Sequence, residues 1–414
     1  MEFRKLGEFC TVKGGKRLPK GTQLQESKTN HPYLRIKDFN NGNIDINNLM
    51  YISEEVFNKI SNYTINKGNI FLSIVGTIGL VDVIEEELDK SSLTENAVKI
   101  YSNDEKQLST EFLSYFLKST MGQHEISIRT VGSTQPKLAI TRIKDINVPM
   151  VDIEKQYKIT WVLSNIDKKI KLNRTIIANL EELSQKLFKR WFVDFEFPDE
   201  NGNPYKSSGG EMIDSELGEI PKNWSIKIVK EIAESFNSIR KPLSKLEREK
   251  RESIYPYYGA TKIIDYVDNY IFDGKYILVG EDGTVQTETG NPFIQYVWGK
   301  FWVSNHAHIL KGKLISDELL MLYLKNTNVV PYITGAVQPK LNKKNLNSIK
   351  FVIADKETII KFENFIKSYF QKIRILNKEN KKLIELRDTL LPKLMSGELE
   401  IPDDVEVNTD ELSI

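Results

Sequence analysis

Two stretches of the chain repeat apolar residues every seven positions. One covers residues 154–191, and the other covers residues 362–394. The first position of the repeat is occupied by Ile159, Ile166, Asn173, Leu180 and Leu187 in one stretch, and by Phe362, Tyr369, Leu376, Leu383 and Leu390 in the other. The remaining faces are mostly polar, and neither stretch contains Gly or Pro before Pro392. Each stretch therefore predicts one long helix, which Gly397 would end in the second case.

The apolar stripe predicts that the two helices pack antiparallel along their length as a coiled coil. The alternative is that each stripe belongs to the core of a separate compact domain. Asn173 would be a polar residue in the seam, where it could set the register. A solvated helix end or a partner contact would explain it equally well.

The segments around these helices form an imperfect tandem repeat. The string Gly132-Ser133-Thr134-Gln135-Pro136-Lys137-Leu138 returns 203 residues later as Gly335-Ala336-Val337-Gln338-Pro339-Lys340-Leu341. Strand-like runs separated by Gly, Asn and Pro fill both copies. The predicted fold class is therefore α/β, used here to include α+β arrangements, with two related globular domains and two long helices. The predicted divisions are a mixed domain at 1–150, a helix at 151–196, a linker at 197–216, a second mixed domain at 217–353, a helix at 354–397 and a tail at 398–414.

Composition excludes several classes of protein. No apolar run approaches the roughly 20 residues that span a bilayer, and the first residues lack the apolar core of a secretory signal. The sequence therefore predicts a cytoplasmic protein without a membrane partner. Cys10 is the only cysteine, which excludes a disulfide framework and a cysteine-based zinc site. His306 and His308 would share one face of a strand, but no further ligand accompanies them, and no metal site is predicted.

The net charge is only +1, but the basic residues are clustered. Residues 4–37 hold nine Lys or Arg and two acids, whereas 126–144 and 331–354 each hold four basic residues and no acid. A local basic face is sufficient for DNA binding, although a single cluster is equally typical of solvated surface.

Candidate DNA contacts lie where cationic, amide and hydroxyl side chains meet turn glycines. They are Lys16, Arg17, Lys20, Arg35, Lys37, Thr77, Gln135 and Lys137 in the first copy, and Arg240, Lys241, Tyr258, Thr284, Asn305, His306, His308, Gln338 and Lys340 in the second. For the basic loops the alternative is ordinary surface, and for the two Gln-Pro-Lys strings it is a turn that packs each domain on its helix. Neither a P-loop nor a GxGxxG string is present.

Catalytic motifs are missing from the sequence. The nearest approach to the Asn/Asp-Pro-Pro-aromatic string of an adenine methyltransferase is Asn291-Pro292-Phe293, which lacks the second proline. No paired acid and base constellation is evident either. We therefore expect no catalytic residue in this chain.

Several strings together resemble the specificity subunits of Type I restriction–modification systems. They are Trp191-Phe192-Val193-Asp194-Phe195-Glu196-Phe197-Pro198, Leu217-Gly218-Glu219-Ile220-Pro221-Lys222-Asn223-Trp224, the two Gln-Pro-Lys-Leu strings, and Leu390-Leu391-Pro392-Lys393-Leu394-Met395-Ser396-Gly397-Glu398-Leu399. Each is a weak pattern alone, but they occur in order and in duplicate. Leu6-Gly7-Glu8-Phe9, at the start of the first domain, departs from the family's domain-opening pattern because the Ile-Pro-Lys-Asn-Trp continuation is missing.

The resemblance implies that each mixed domain is a target recognition domain reading half of a bipartite site on double-stranded DNA. It implies that the helices set the spacer between the half-sites and dock two methyltransferase subunits, which restriction (nuclease-translocase) subunits then join. S-adenosylmethionine, ATP and Mg would belong to those partners, with no cofactor in this chain. Two alternatives stay open: a self-sufficient restriction enzyme or methyltransferase, and a coiled-coil scaffold that binds no DNA.

Overall fold

The structure is a computed structural model that describes residues 2–40, 42–132, 134–335, 337–402 and 404–405. The chain divides into two compact units, one made of residues 1–172 with 379–414 and the other of residues 173–378. Each unit holds one mixed α and β domain together with part of both long helices. Residues 406–414 of the expected tail lie outside the described part of the chain.

The first domain is built from short strands and short helices. Its strands are β1 (Glu2–Lys5), β2 (Cys10–Gly14), β3 (Tyr33–Leu34), β4 (Phe39–Asn40), β5 (Asn43–Ile44), β6 (Thr64–Ile65), β7 (Ile70–Ser73), β8 (Val81–Val83), β9 (Ser91–Leu93), β10 (Ala97–Ser102) and β11 (Asn147–Met150), and its helices are α1 (Glu54–Ile60), α2 (Thr110–Lys118), α3 (Thr120–Arg129) and α4 (Ile140–Lys144). The central sheet has the order β2-β10-β7-β8 and is antiparallel. A smaller sheet β3-β9-β6 and the pairs β1-β11 and β4-β5 complete the domain.

The second domain repeats this plan. Its strands are β12 (Met212–Ile213), β13 (Ile220–Pro221), β14 (Ser225–Ile228), β15 (Ala233–Ser235), β16 (Tyr255–Tyr258), β17 (Ile263–Val267), β18 (Phe272–Asp273), β19 (Tyr276–Gly280), β20 (Ile294–Val297), β21 (Lys300–Val303), β22 (Ala307–Gly312) and β23 (Lys350–Ile353), and its helices are α6 (Val229–Ile232), α7 (Lys245–Arg248), α8 (Asp317–Lys325) and α9 (Lys343–Asn347). The sheet β15-β22-β19-β20 matches β2-β10-β7-β8 strand for strand, and β14-β23 matches β1-β11. In the sheet β17-β16-β21-β18, the strands β16-β21-β18 match β3-β9-β6, with one parallel and one antiparallel pair in each case, and only β17 is additional.

Two long helices follow the two domains. They are α5 (Ile153–Phe188), continued by a wider helical turn at Lys189–Val193, and α10 (Lys356–Ser396). The carboxylate of Asp355 accepts the backbone N–H of Thr358 at 2.9 Å, which satisfies one of the free donors at the start of α10. Gly397 follows α10 with a φ of +76°, a left-handed conformation that glycine adopts without steric cost.

Within the first unit, the two helices run antiparallel. Lys169 of α5 lies 3.6 Å from Glu379, and Asp167 accepts a hydrogen bond from Arg387 at 2.9 Å. Residue numbers therefore decrease along α5 in the direction in which they increase along α10. Leu163 is fully buried in the same apolar core as the end of α10. The sequence pattern had indicated this pairing.

Within the second unit, aromatic side chains join the helices to the domain. The rings of Phe192 and Phe362 meet edge to face with centroids 4.7 Å apart, and Phe188 contacts Tyr323 in the same way at 4.9 Å. Such pairs add to the free energy gained from burial of the rings. The predicted α+β fold class, with two related domains and two long antiparallel helices, is therefore confirmed.

The ten residues at the first heptad position are all at least partly buried, and four of them, Ile159, Asn173, Phe362 and Leu376, are buried. Three flanking positions that the frame placed in the seam are exposed instead: Leu183, Phe365 and Leu386 have 46%, 52% and 47% of their surface accessible. A straight α-helix has 3.6 residues per turn, whereas a strict heptad repeat corresponds to 3.5. Positions assigned by the heptad repeat therefore drift away from the packed face of the helix.

No helix in the described part of the chain is long and apolar enough to cross a bilayer.

Candidate nucleic-acid interface

Each domain carries a short hairpin whose second arm contains the Gln-Pro-Lys string. In the first domain, the backbones of Val131 and Lys137 exchange hydrogen bonds of 3.0 and 2.9 Å. In the second, Thr334 and Lys340 do the same at 2.9 and 2.7 Å. The hairpins expose the side chains of Gln135, Lys137, Gln338 and Lys340. Ser133 and Ala336 of the repeated strings lie outside the described residues.

In the first domain, three segments distant in sequence meet at one end of the central sheet. The N–H of Gly15 donates to the carbonyl of Ala97 at 3.1 Å, and that of Ile74 donates to Asn96 at 2.8 Å. The N–H of Leu138 then donates to the carbonyl of Ile74 at 3.0 Å. These bonds bring the basic loop after β2, the glycine loop after β7 and the hairpin into one row.

The basic loop is held by its backbone, which leaves the cationic groups outside. A side-chain carbon on Gly15 would lie 2.1 Å from the carbonyl oxygen of Thr94, so only glycine allows this close approach. Tyr33 donates from its hydroxyl to the carbonyl of Lys16 at 2.8 Å, and burial raises the pKa of that phenol to about 12, which keeps the donor protonated. Arg17 is largely exposed and lies 3.2 Å from Glu95.

Most other candidates of the first domain lie near the same edge. Thr77 is exposed in the turn that follows Gly76, whose φ is +77°. Lys37 is exposed, and its neighbour Ile36 approaches the space beside Gly76. Lys20 is exposed in the continuation of the basic loop, but no contact fixes it beside the others.

Arg35 serves the framework rather than an open surface. Its guanidinium makes hydrogen bonds of 2.5 and 3.1 Å to Asp38, whose carboxylate is almost completely buried. A buried carboxylate left without its cation would be strongly destabilising. The interpretation of Arg35 as a free DNA contact therefore does not fit its place in the fold.

The second domain repeats the row of three segments. The N–H of Glu281 donates to the carbonyl of His306, and the N–H of Leu341 donates to the carbonyl of Glu281, both at 2.9 Å. The first segment is attached by a side chain here, because Arg240 donates to the carbonyls of Asn305 at 3.1 Å and Ala307 at 2.7 Å.

Arg240 is accordingly a positioning residue. It also donates to Glu281 at 2.7 Å, and only 15% of its side chain is exposed. The sequence had indicated a DNA contact here. The structure places the guanidinium inside the domain, where its donors hold two loops together, so this interpretation is corrected.

The interpretation of His308 as a DNA contact is also corrected by the structure. Its ring is fully buried, its Nε2 donates to the carbonyl of Leu341 at 2.6 Å, and its Nδ1 accepts from the amide of Asn237 at 2.7 Å. Burial lowers the pKa of His308, which favours the neutral ring that this pair of bonds requires. His308 and His306 do not share a face, since β22 begins only at Ala307.

The remaining candidates of the second domain differ in exposure. Asn305, His306 and Thr284 are exposed, and Nδ1 of His306 lies 2.5 Å from Asp282. Lys241 is exposed, while its carbonyl accepts the indole N–H of Trp302 at 2.6 Å. Tyr258 is partly buried against Phe301, and burial raises the pKa of its hydroxyl.

One segment at this edge was missed by the sequence reasoning. The turn at residues 259–262 joins β16 to β17, and the side-chain amide of Gln295 donates to the carbonyls of Gly259 at 3.0 Å and Ala260 at 3.2 Å. The N–H of Ser304 donates to the carbonyl of Tyr258 at 2.9 Å, which places the turn beside the exposed Asn305. The signal would have been Lys262, an exposed cation in a glycine-containing hairpin turn.

Among the described residues, no group of three or more His, Cys, Asp or Glu is arranged to hold a metal ion. The edge instead offers exposed amide, hydroxyl, imidazole and cationic groups on a backbone fixed by main-chain hydrogen bonds. Such groups can bind phosphates and the edges of bases.

Comparison with known proteins agrees with this arrangement. The family model described as the Type I restriction modification DNA specificity domain matches twice, over residues 1–182 and 221–385. The specificity subunit of the Type I restriction enzyme MjaIX from Methanocaldococcus jannaschii is 24% identical over 97% of this chain and 99% of its own length. The HindI specificity subunit from Haemophilus influenzae is 24% identical over 81% of this chain and 87% of its own.

A solved structure has the same fold. The S subunit of the Type I restriction–modification system from M. genitalium aligns over 98% of this chain and 96% of its own, with a TM-score of 0.58 and 20% identity. The double match of the family model coincides with the duplicated sheets. The chain therefore belongs to the family of Type I restriction–modification DNA specificity subunits.

Proposed function

We propose that this chain recognises a bipartite site on double-stranded DNA, with each domain reading one half. The observation that carries the proposal is the repeated edge at which three distant segments meet, once in each domain. Bases are distinguished by side chains with directional donors and acceptors, and the two edges present different sets of them. The first edge offers Thr77 and Gln135. The second offers the corresponding Thr284 and Gln338, and Asn305 and His306 in addition.

The two Gln-Pro-Lys strings would have a common task. Because both domains keep the same string on the same hairpin, the strings suit phosphate contact or a fixed orientation better than the reading of two different sequences. The side chains that differ between the domains would then carry the choice of bases.

The long helices would set the distance between the half-sites and dock two methyltransferase subunits. A helix of 36 residues is about 54 Å long, which exceeds the 34–36 Å of one turn of B-DNA. Exposed apolar side chains on these helices, such as Leu172 on α5 and Phe365 and Ile375 on α10, would contact the methyltransferase subunits. Restriction subunits would join that assembly.

As a specificity subunit, the chain is the non-catalytic recognition component of such an enzyme. S-adenosylmethionine, ATP and Mg would accordingly be bound by partner subunits rather than by this chain, and the assembly would act on DNA in the cytoplasm.

Selection of duplexes from a random pool by the full chain bound to its methyltransferase subunits tests the proposal. We expect two short conserved blocks separated by a spacer of constant length. Exchanging residues 1–150 for the corresponding domain of a relative should change one block and leave the other intact. Recovery of no preferred duplex would favour the scaffold alternative, and turnover of DNA by the isolated chain would favour the self-sufficient enzyme.

A further inference from the structure

A cleft lined by lysines lies on the second domain, outside the edge described above. It has a volume of about 430 Å³ and is formed by the short helices α6 and α9. The residues that line it are Ile228, Lys230, Lys343, Lys344, Asn347 and Ser348. None of the candidate DNA contacts named above is among them, so the cleft is an additional feature of the surface.

The charge of the cleft is uncompensated. Within the described ranges, no carboxylate lies within ion-pair distance of Lys230, Lys343 or Lys344, although the chain forms many other lysine–carboxylate pairs. The acid next to Lys230 is Glu231, and its carboxylate accepts the backbone N–H of Ile228 at 2.9 Å. Residues 331–354 contain no acid at all. Three cations around one concavity repel one another unless an anion binds among them.

The position of the cleft links it to the reading edge. Lys343 begins α9 only three residues after Lys340 of the hairpin, and the side chain of Asn342 fixes the start of that helix by accepting the N–H of Asn345 at 2.9 Å. Three residues of extended chain span about 10 Å. A duplex lying on the hairpin would therefore bring the phosphates that flank the contacted bases to the cleft.

The first domain places its cations differently. At the offset of 203 residues, Lys343 and Lys344 correspond to Ile140 and Thr141 at the start of α4, whose own exposed cations are Arg142 and Lys144. The two short helices otherwise occupy equivalent places, since each follows the hairpin and precedes the strand that pairs with the domain's opening strand. The pair of adjacent lysines at the start of the helix is therefore specific to the second domain.

We infer that the lysine cleft binds phosphates of the DNA backbone that flank the second half-site. The inference rests on the proposed function, because it needs a duplex on the reading edge. The cleft would raise the affinity for DNA and its dependence on salt, and would leave the choice of bases unchanged, since phosphates are the same in every sequence.

The test uses the full chain with its methyltransferase subunits and the duplex selected above. The variant Lys230→Ala, Lys343→Ala, Lys344→Ala should raise the Kd roughly tenfold at moderate salt and lower the slope of log K against log salt by about two to three. The preferred blocks should not change. The control, Lys189→Ala, Lys222→Ala, Lys361→Ala, removes the same charge at lysines paired with Asp194, Glu211 and Glu357, and should change the slope by less than one.

A modified duplex locates the contact. Neutral methylphosphonate linkages beside the second half-site should weaken binding of the wild-type protein and have no additional effect on the triple variant. Additive losses, or a triple variant that behaves as the control does, would overturn the inference while leaving the bipartite reading in place. If the wild-type protein selects no site, the proposed function itself fails. Lys→Arg replacements at the three positions should restore the affinity of a folded protein, which separates loss of charge from loss of structure.

Discussion

His308 donates from Nε2 to the backbone carbonyl of Leu341 at 2.6 Å, and so ties strand β22 to the hairpin that carries Lys340. The other ring nitrogen accepts from Asn237, which connects the same histidine to the loop that contains Arg240. One buried, neutral ring therefore holds together the segments that form the edge of the second domain.

The first prediction concerns this histidine and pH. Because the pKa of His308 is lowered in the folded protein, the unfolded chain binds a proton at a higher pH than the folded one. The contribution of His308 to the free energy of unfolding of the second unit should be fully present above the ordinary pKa of 6.5, and it should be lost as the pH falls below that value. His308→Gln should lower stability by about 1–2 kcal/mol at pH 8 and remove this decline. Urea unfolding followed across the pH range measures both effects, with the exposed His124→Gln as control. An unchanged decline in His308→Gln would assign it to another group.

The second prediction concerns the basic loop of the first domain. Replacing Lys16 and Arg17 by Ala removes two exposed cations from the edge, so the slope of log K against log salt should fall by roughly one to two. The matched control is Lys67→Ala with Lys171→Ala, which removes the same charge at residues paired with Glu86 and Glu85. Lys67 precedes β7, whereas the edge follows that strand. Equal slopes for the two double variants would place the loop off the DNA.

The third prediction concerns Glu111, a partly buried acid of the first unit. Burial is the main cause that raises the pKa of Glu111 to about 7, so the folded protein retains a proton there that the unfolded chain loses above its ordinary pKa of 4.5. The first unit should therefore lose stability as the pH rises from 4.5 to about 7. Glu111→Gln should be neutral near pH 4.5 and stabilise the unit by on the order of 2 kcal/mol at pH 8. Thermal unfolding at both pH values tests this, with the exposed Glu87→Gln as control. Destabilisation by Glu111→Gln at pH 8 would contradict the assignment.

The fourth prediction concerns the helices as a spacer. Insertion of seven residues after Arg174 in α5 and of seven after Lys378 in α10 keeps the apolar stripe and adds about 10 Å to each helix. The selected DNA blocks should stay the same, while the spacer between them should grow by about three base pairs. Insertion into α5 alone breaks the pairing of the stripes and should lower stability. A constant spacer in the double insertion would show that the helices do not measure the distance.

The sequence predicted the framework of this protein better than its edge. Heptads and a 203-residue repeat are periodic signals, and periodicity survives in sequence because packing imposes it. Which side chains are exposed at the edge depends on the residue at which each strand begins or ends, and strand ends leave no periodic pattern in the sequence. His306 and His308 were placed on one face of a strand, yet β22 begins between them, so one ring is exposed and the other is buried. Arg240 could not be distinguished from a surface cation, because its acceptors are backbone carbonyls 65 and 67 residues away.

The division of the chain into units has a consequence for its synthesis. The second unit is one continuous stretch, residues 173–378, whereas the first is completed only by residues 379–414. As the ribosome makes the chain, the second unit has all of its residues before the first has received Leu391 and Leu394, which are buried in its core. The domain that is synthesised first is therefore the one whose unit is completed last. A premature stop codon after residue 378 would leave the second unit complete and would remove part of the core of the first unit.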